Sequence, residues 1–179
     1  DKCTWFGLDF SKAKMIGSDG FSDPQAIKDQ FFNSWNNLIQ SEPDKYNLGK
    51  VFRKSSIDIY LDVAIERNKL VDVDDLVITH TAYSISEDEL KSIISSYQAD
   101  EVSGLGIVFV IESFDKFSEM GTMWVTFFDI SSKKVLFADK MKGKASGLGF
   151  RNYWAKTYFN VLKEIEKKQY HSWQKELEN

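Results

Sequence analysis

The clearest alternation of apolar and polar residues lies in the second half of the chain. Residues 106–112 form an almost unbroken apolar run, which is typical of a strand in the middle of a sheet. Residues 122–130 and 135–142 are predicted to be two further strands, and the short polar turn between them predicts an antiparallel hairpin. Large apolar side chains alternate onto both faces of residues 122–130, so we expect this strand to be covered on two sides.

The first half of the chain contains shorter patterns. Residues 4–10 place apolar side chains at every second position, which predicts a strand. Residues 57–65 alternate in the same way and predict a second strand, and a third is expected within residues 76–81. Residues 11–22 contain two glycines and no regular spacing, so they are predicted to form a loop.

Three helices are predicted from their capping residues and from apolar side chains repeated every three or four positions. Asp23 and Pro24 suit the N-cap and the first position of a helix. Ser86 and Glu89 have the spacing of a capping box, in which each side chain binds the backbone N–H of the other residue. The third helix follows a glycine-rich loop in the last third of the chain and runs into a polar tail.

These elements follow one another in the order βαββαβββα. We therefore predict a single domain over residues 1–179 of the α/β (α+β) class, with one mixed, mostly antiparallel sheet packed by about three helices. Residues 167–179 are predicted to be a polar C-terminal helical extension. A chain of this length buries roughly 70% of the surface that its unfolded form exposes, so folding requires neither a disulfide nor a metal ion.

The net charge, the single cysteine and the lack of long apolar runs restrict the kinds of partner and site that the chain is expected to have. The formal net charge of −4 gives no basis for predicting nucleic-acid binding. Cys3 is the single cysteine, which excludes an intrachain disulfide and a cysteine-rich zinc site. No apolar run reaches the length of about 18 residues that a membrane-spanning helix needs, and we predict a soluble domain.

The sequence contains no recognisable catalytic or metal-binding motif. His80 and His171 are far apart in the sequence, and neither belongs to a recognisable nucleophile or metal motif. An acidic cluster is interpreted as a solvated loop because the glycine and the distal glutamate of an EF-hand are missing; it comprises Asp72, Asp74 and Asp75. We therefore expect a protein that is not an enzyme and has no cofactor and no metal site.

Charged residues at the end of the apolar run 106–112 are the one place where catalytic groups could gather. They are Glu112, Asp115 and Lys116. Perturbed titratable groups in one cleft would indicate an active site. The interpretation that we favour is a set of structural ion pairs.

A basic stretch stands out in an otherwise acidic protein. Residues 133–156 contain seven basic residues and one acidic residue, Asp139. The basic residues are Lys133, Lys134, Lys140, Lys142, Lys144, Arg151 and Lys156. Alternation along a strand would place three of the lysines on one face, and the arginine would stand in the first turn of the following helix. The candidate site for an anionic ligand or polymer comprises Lys140, Lys142, Lys144, Gly147, Gly149 and Arg151. The alternative is a solvated face that keeps the sheet from associating.

Most of the large aromatic residues have core periodicity. Trp5, which lies beside a glycine and an aspartate, and Trp173, which lies in the polar tail, are the two exceptions. Both are predicted to be exposed contacts for a partner.

Three segments of the second half carry a resemblance to known proteins. Residues 111–116 (IESFDK), 123–129 (MWVTFFD) and 150–156 (FRNYWAK) resemble an uncharacterised family of exported Bacteroidetes proteins. More broadly, residues 99–165 are similar to a bacterial envelope fold in their order of strands, turn, glycine-containing loop and closing helix. That fold occurs in the amino-terminal domain of TolB, in curli-secretion lipoproteins and in activator lipoproteins of penicillin-binding proteins.

The resemblance implies a non-enzymatic component of the cell envelope. It implies a periplasmic or outer-membrane-associated location, with a membrane link only through a lipid anchor ahead of residue 1. The implied partner is an envelope protein or a second copy of the chain, and no nucleic acid. The resemblance supplies no catalytic residues.

Overall fold

Seven strands of the described chain join into one sheet. The computed structural model describes residues 2–178, without the side chain of Glu178; Asp1 and Asn179, the ends of the predicted domain and extension, lie outside the described residues. The strands are β1 (Lys2–Asp9), β2 (Lys14–Ile16), β3 (Ser56–Ile59), β4 (Val77–Ile78), β5 (Leu105–Asp115), β6 (Met120–Asp129) and β7 (Lys134–Lys144).

Six α-helical segments accompany the sheet in the described part of the chain, rather than about three, in addition to a short 3-10 turn at Ser18–Gly20. They are α1 (24–36), α2 (Leu38–Ser41), α3 (Leu48–Phe52), α4 (Asp62–Lys69), α5 (Glu87–Ser95) and α6 (150–178). Two of them contain five-residue π-helical turns, at Ile27–Phe31 in α1 and at Ile165–Gln169 in α6.

The predicted helix starts are confirmed where they rest on capping chemistry. The Asp23 side chain accepts a hydrogen bond from the Ala26 N–H, with Pro24 at the first position of α1. Ser86 and Glu89 form the reciprocal capping box of α5. Such local hydrogen bonds depend on residues three positions apart, so sequence spacing identifies them reliably.

The fold is mixed α/β, as predicted, but the relative directions of the strands in the sheet differ from the prediction. β1 and β2 lie end to end along one edge of β5 and run parallel to it. β3 and β4 pair in parallel with β1 and β2 respectively, so four of the six strand pairings are parallel and the prediction of a mostly antiparallel sheet is wrong. The helices between the early strands return the chain to the same end of the sheet, which makes neighbouring strands parallel.

The predicted antiparallel hairpin is confirmed for β6 and β7, and β5 pairs antiparallel with β6. β6 is covered on both faces, as expected. Trp124 and Phe128 join the apolar cluster beneath α5, whereas Val125 and Phe127 face the cluster beneath α1 and α6.

Two assignments in the first half are wrong. Residues 57–65 were predicted as one strand, but the strand ends at Ile59 and α4 begins at Asp62. Ala64 and Asn68, four positions apart, are buried on one face of α4 together with Val63, and this spacing is helical rather than a two-residue repeat. The predicted loop 11–22 contains β2, whose three residues are too few to produce a detectable pattern.

The predicted exposure of two tryptophans is also wrong. Trp5 is buried in β1, where its ring meets the Phe109 ring edge-on, because β1 is covered on both faces. Trp173 is only 4% exposed, and its Nε1–H donates to Asp139 Oδ2 at 2.7 Å. The C-terminal helix therefore packs against the sheet through this ring and its contacts with Phe127 and Phe137.

We expect the Trp173→Ala substitution to lower the free energy of unfolding by about 3–5 kcal/mol, because it empties the space between α6 and the sheet. Denaturant unfolding followed by circular dichroism measures this change. The matched control is Ser172→Ala at the neighbouring exposed position, for which we expect less than about 0.5 kcal/mol. Equal effects of the two substitutions would contradict the packed position of the helix.

Candidate functional site

The carboxyl end of β1 carries a buried carboxylate. Asp9 is the last residue of the strand and is 0% exposed. Its Oδ2 accepts hydrogen bonds from Arg67 Nε at 3.0 Å and from the Tyr97 hydroxyl at 2.7 Å. Its Oδ1 accepts from the Ser11 backbone N–H at 2.8 Å. In open α/β sheets, ligands bind outside the carboxyl ends of the parallel strands, so this end is the natural place to search for a site.

Two buried amide side chains hold the end of β1 in place. The register of β1 against β5 shifts between Trp5 and Leu8, and pairing with β3 ends at Trp5. Asn36 Oδ1 accepts from the Leu8 N–H at 2.7 Å, and Asn68 Oδ1 accepts from the Phe10 N–H at 2.7 Å. Buried backbone groups need partners, and here the two side chains replace a missing strand.

Arg67 is fixed at the same point by contacts on three sides. Besides the bond to Asp9, its Nη1 donates to Ser96 Oγ at 2.7 Å and its Nη2 donates to Ser11 Oγ at 3.0 Å. The guanidinium also lies over the Tyr97 ring, 5.3 Å from its centroid. These bonds use three of the five N–H donors of an arginine and leave one on each terminal nitrogen. The side chain remains 21% exposed.

A cleft with a volume of about 480 Å³ opens beside Arg67, between α5 and the loop that joins β1 to β2. Its lining consists of Lys12, Arg67, Tyr83, Ile85, Asp88, Glu89, Ser92, Ile93 and Ser96. The acidic residues belong to the first turn of α5, and Ser96, which binds Arg67, follows its last residue. Arg67 therefore lies near the C-terminal end of α5, whereas Asp88 and Glu89 lie at its N-terminal end, where Lys12 and Lys140 act on Glu89.

One wall of the cleft is held by a partly buried ion pair. Glu112 Oε2 accepts from the Lys140 ammonium at 2.5 Å and from the Ile85 N–H at 2.8 Å. The Ile85 carbonyl accepts from Lys140 Nζ and from Trp124 Nε1, each at 3.0 Å. The segment before α5 is thereby attached to β5, β6 and β7. Lys140, a member of the predicted anion site, thus has a structural partner.

The structure divides the predicted anion site between the two faces of the sheet. Lys140, Lys142 and Lys144 do share the face that carries Trp124, as the register of β6 and β7 requires. Lys142 and Lys144 are exposed on that face.

Arg151 lies with α1 on the other face, so it is not gathered with the lysines. Its Nε donates to Ser34 Oγ at 2.8 Å, its Nη2 lies 3.5 Å from Glu42 Oε1, and its carbonyl accepts from Trp35 Nε1. Gly147 and Gly149 are in the exposed loop before α6, with positive φ values of 113° and 82°. Anion binding by the six residues stays a prediction.

The residues of the cleft were missed by sequence reasoning. Arg67 lies beyond the strand predicted over residues 57–65, so no predicted element includes it. The signal that was available is a polar residue, Asp9, ending an apolar strand, together with Ser92 and Ser96 one turn apart next to a strong helix start. Neither pattern reveals that the two regions meet.

Each titratable group near the cleft that has a shifted pKa has it shifted further from pH 7. The Ser86 hydrogen bonds lower the pKa of Glu89. Burial raises the pKa of Tyr83 to about 12. Burial, and secondly the neighbouring Asp9, raise the pKa of Tyr97 well above its usual value. These groups therefore keep their ordinary charge at neutral pH.

Comparisons with known proteins add no family assignment: no protein-family model and no curated protein sequence matches the chain. Within residues 2–178, no helix combines the length and apolar character needed to cross a membrane. Over the same described residues, no three His, Cys, Asp or Glu side chains are grouped so that they could hold a metal ion.

Proposed function

We propose that this chain is a non-enzymatic binding protein of the bacterial cell envelope that holds a segment of a partner protein in the cleft beside α5. The observation that carries the proposal is the arrangement of Arg67. Buried Asp9 and two serine hydroxyls fix its guanidinium, while one N–H donor on each terminal nitrogen remains for a ligand. A side chain fixed in this way loses little conformational entropy when it binds.

The size and lining of the cleft support binding. Its volume of about 480 Å³ lies within the range of about 300–1,000 Å³ typical of ligand sites. Ile85, Ile93 and the Tyr83 ring offer apolar surface, and the charged groups stand around it. Such a mixture suits a peptide, which combines apolar and polar groups along its length.

The electrostatics of the cleft support a role in binding rather than catalysis. A general acid or base works best when its pKa is near the operating pH. The pKa values of Glu89, Tyr83 and Tyr97 are shifted in the opposite sense.

The envelope location rests on the resemblance of residues 99–165 to exported proteins. This part of the chain contains β5, β6, β7 and most of α6, which form one side of the fold. A periplasmic or outer-membrane-associated location is the form of the proposal that agrees with the resemblance.

Site-specific photo-crosslinking in the native host tests the proposed function. A benzoyl-phenylalanine in place of Ser92, which lines the cleft, is expected to give one discrete protein adduct. The matched control places the same group at Lys91, which is exposed on the same helix and does not line the cleft. Identical adducts at both positions, or none at Ser92, would overturn the proposal.

The same experiment separates the basic strand from the cleft. The double substitution Lys142→Glu and Lys144→Glu reverses the exposed charges of β7 and leaves the cleft lining intact. We expect the Ser92 adduct to persist in this variant. Its loss, together with a steep decrease of adduct yield with salt, would favour the anion-binding alternative and contradict the cleft.

A further inference from the structure

We infer that the free edge of β7 adds an extended acidic strand of a partner protein to the sheet. This surface is separate from the cleft, because no residue of β7 lines the cleft. The length of the open edge, the direction of its backbone groups and the charge beside them support this assignment.

The two edges of the sheet differ in length. β3 and β4 are the outermost strands on one side and have only four and two residues. β7 forms the other edge, has 11 residues and pairs with β6 alone among the described strands. Short edge strands are a common protection, because unpaired N–H and C=O groups accept strands of other chains. One edge is therefore protected by its shortness, whereas β7 leaves a long row of backbone groups for a further strand.

The hydrogen bonds of β7 show which of its backbone groups point outward. The Ala145 N–H donates to the Glu119 carbonyl at 2.8 Å, one pair beyond the pair of Met120 and Lys144. Bonded pairs alternate along an antiparallel ladder, so the N–H and C=O groups of the even-numbered residues 138–144 point away from β6. The Lys144 carbonyl agrees with this direction, since it accepts from Asn160 Nδ2 of α6 at 2.8 Å.

The open part of this edge covers residues 138–142. Asn160 occupies the carbonyl of Lys144 at one end, and the register with β6 shifts beyond Phe137 at the other end. Among the described residues, no hydrogen bond from outside the sheet reaches the main chain of residues 138–142. The N–H and C=O groups that point outward from this segment are therefore available to a neighbouring strand.

The lysines beside these groups determine which charge suits the added strand. Side chains directly opposite on paired strands share a face and lie about 4.5–5.5 Å apart at Cβ. Lys140 pairs with Glu112 and also acts on Glu89. Lys142 and Lys144 belong to no ion pair among the described residues, and their cross-strand neighbours on β6 carry no charge.

The acids around these lysines are bound by other groups. Glu119, on which Lys144 acts, accepts from the Tyr153 hydroxyl at 2.6 Å. Asp139 lies on the opposite face of β7 and accepts from two side chains of α6. Lys142 therefore leaves a positive charge that an acidic side chain of an added strand compensates.

The same lysines disfavour a second copy of β7 as the added strand. An antiparallel pair of two β7 edges that uses residues 138–142 places Lys140 opposite its own copy. Registers shifted toward Lys144 keep lysine opposite lysine, and like charges directly opposite one another destabilise a sheet. A partner strand with acidic residues at alternate positions has the complementary charge.

Amide hydrogen exchange of the ¹⁵N-labelled protein, followed by NMR, tests the inference. The probe is acetyl-Glu-Val-Glu-Val-Glu-amide, and acetyl-Lys-Val-Lys-Val-Lys-amide is the comparison peptide of opposite charge. We expect the saturating probe to slow exchange of the Ala138, Lys140 and Lys142 amides at least tenfold, because their N–H groups gain acceptors. The Asp139 and Met141 amides, which point to β6, are the internal controls, and their exchange is expected to change less than twofold.

Two N-methylated forms of the probe separate strand addition from simple attraction of charge. One form has its methyl groups on the glutamate nitrogens and the other on the valine nitrogens, so both keep every carboxylate. A strand presents only alternate N–H groups to its neighbour. One form is therefore expected to bind at least tenfold more weakly than the other, and equal binding of the two forms would overturn the inference.

Charge reversal on β7 tests the choice of an acidic strand. The double substitution Lys142→Glu and Lys144→Glu is expected to make the lysine peptide bind more tightly than the probe. The matched control, Lys91→Glu with Lys134→Glu, changes the net charge equally at exposed positions outside residues 138–144, and is expected to alter binding of the probe less than twofold. A preference for the probe that survives reversal at Lys142 and Lys144 would contradict the inference.

Two further outcomes would also overturn it. One is unchanged exchange of the outward-pointing amides with every peptide. The other is protection of these amides that rises with protein concentration in the absence of peptide, which would show a second copy on the edge. The Ser92 crosslink tests the cleft independently, so this inference and the proposed function can fail separately.

Discussion

The Asp9→Ala substitution is expected to lower the free energy of unfolding by about 3–5 kcal/mol, the cost of breaking one side of a buried ion pair. The carboxylate is 0% exposed and accepts hydrogen bonds from Arg67, Tyr97 and Ser11. Its loss leaves the Arg67 charge and the Tyr97 hydroxyl without their partner. Urea unfolding monitored by tryptophan fluorescence measures the change.

An exposed ion pair between β1 and β3 provides the control. Lys2 and Asp58 are 2.7 Å apart, and the Asp58 side chain is 57% exposed. Asp58→Ala is expected to cost less than about 1 kcal/mol, because water screens the pair. If Asp9→Ala lowered the free energy of unfolding by no more than Asp58→Ala does, the burial of the Asp9–Arg67 pair would be contradicted. The fixed guanidinium on which the proposed function depends would then be contradicted as well.

The Gly143→Ala substitution is expected to cost about 3 kcal/mol, at the upper end for overpacking in a core. A Cβ at this position of β7 would lie 2.0 Å from the Thr157 carbonyl oxygen and 2.8 Å from its carbonyl carbon. Because both are backbone atoms of α6, the helix must move away from the sheet. Thermal unfolding by calorimetry measures the loss of stability.

Gly104→Ala separates steric contact from backbone strain. Gly104 has a φ of 93°, and a Cβ there meets nothing within 4 Å. We expect this control to cost about 1–2 kcal/mol, from conformation alone. If Gly143→Ala were no more harmful than the control, the close contact of β7 with α6 would be refuted.

Local chemistry explains which parts of the fold were predictable. The capping residues Asp23, Ser86 and Glu89 act on backbone groups three positions away, and their helices begin where expected. The hairpin of β6 and β7 has a short turn, and short turns allow only antiparallel pairing. In each case the interacting groups are close in sequence, so spacing contains the necessary information.

Strand direction and the candidate site were not predictable in this way. A two-residue repeat indicates a strand but carries no information on its neighbours, so the parallel pairing of β1 with β5 was missed. The repeat over residues 57–65 also fits a helix, and only the packed fold shows that α4 starts at Asp62 and points Asn68 at β1.

The sequence by itself determined the helix caps, the apolar run of β5, the β6–β7 hairpin and the two covered faces of β6. Tertiary structure decided the parallel half of the sheet, the burial of Trp173 and the cleft at the end of β1. The physical reason is distance along the chain. Asp9 meets Arg67 across 58 positions and Tyr97 across 88, and only folding brings these groups within hydrogen-bonding range.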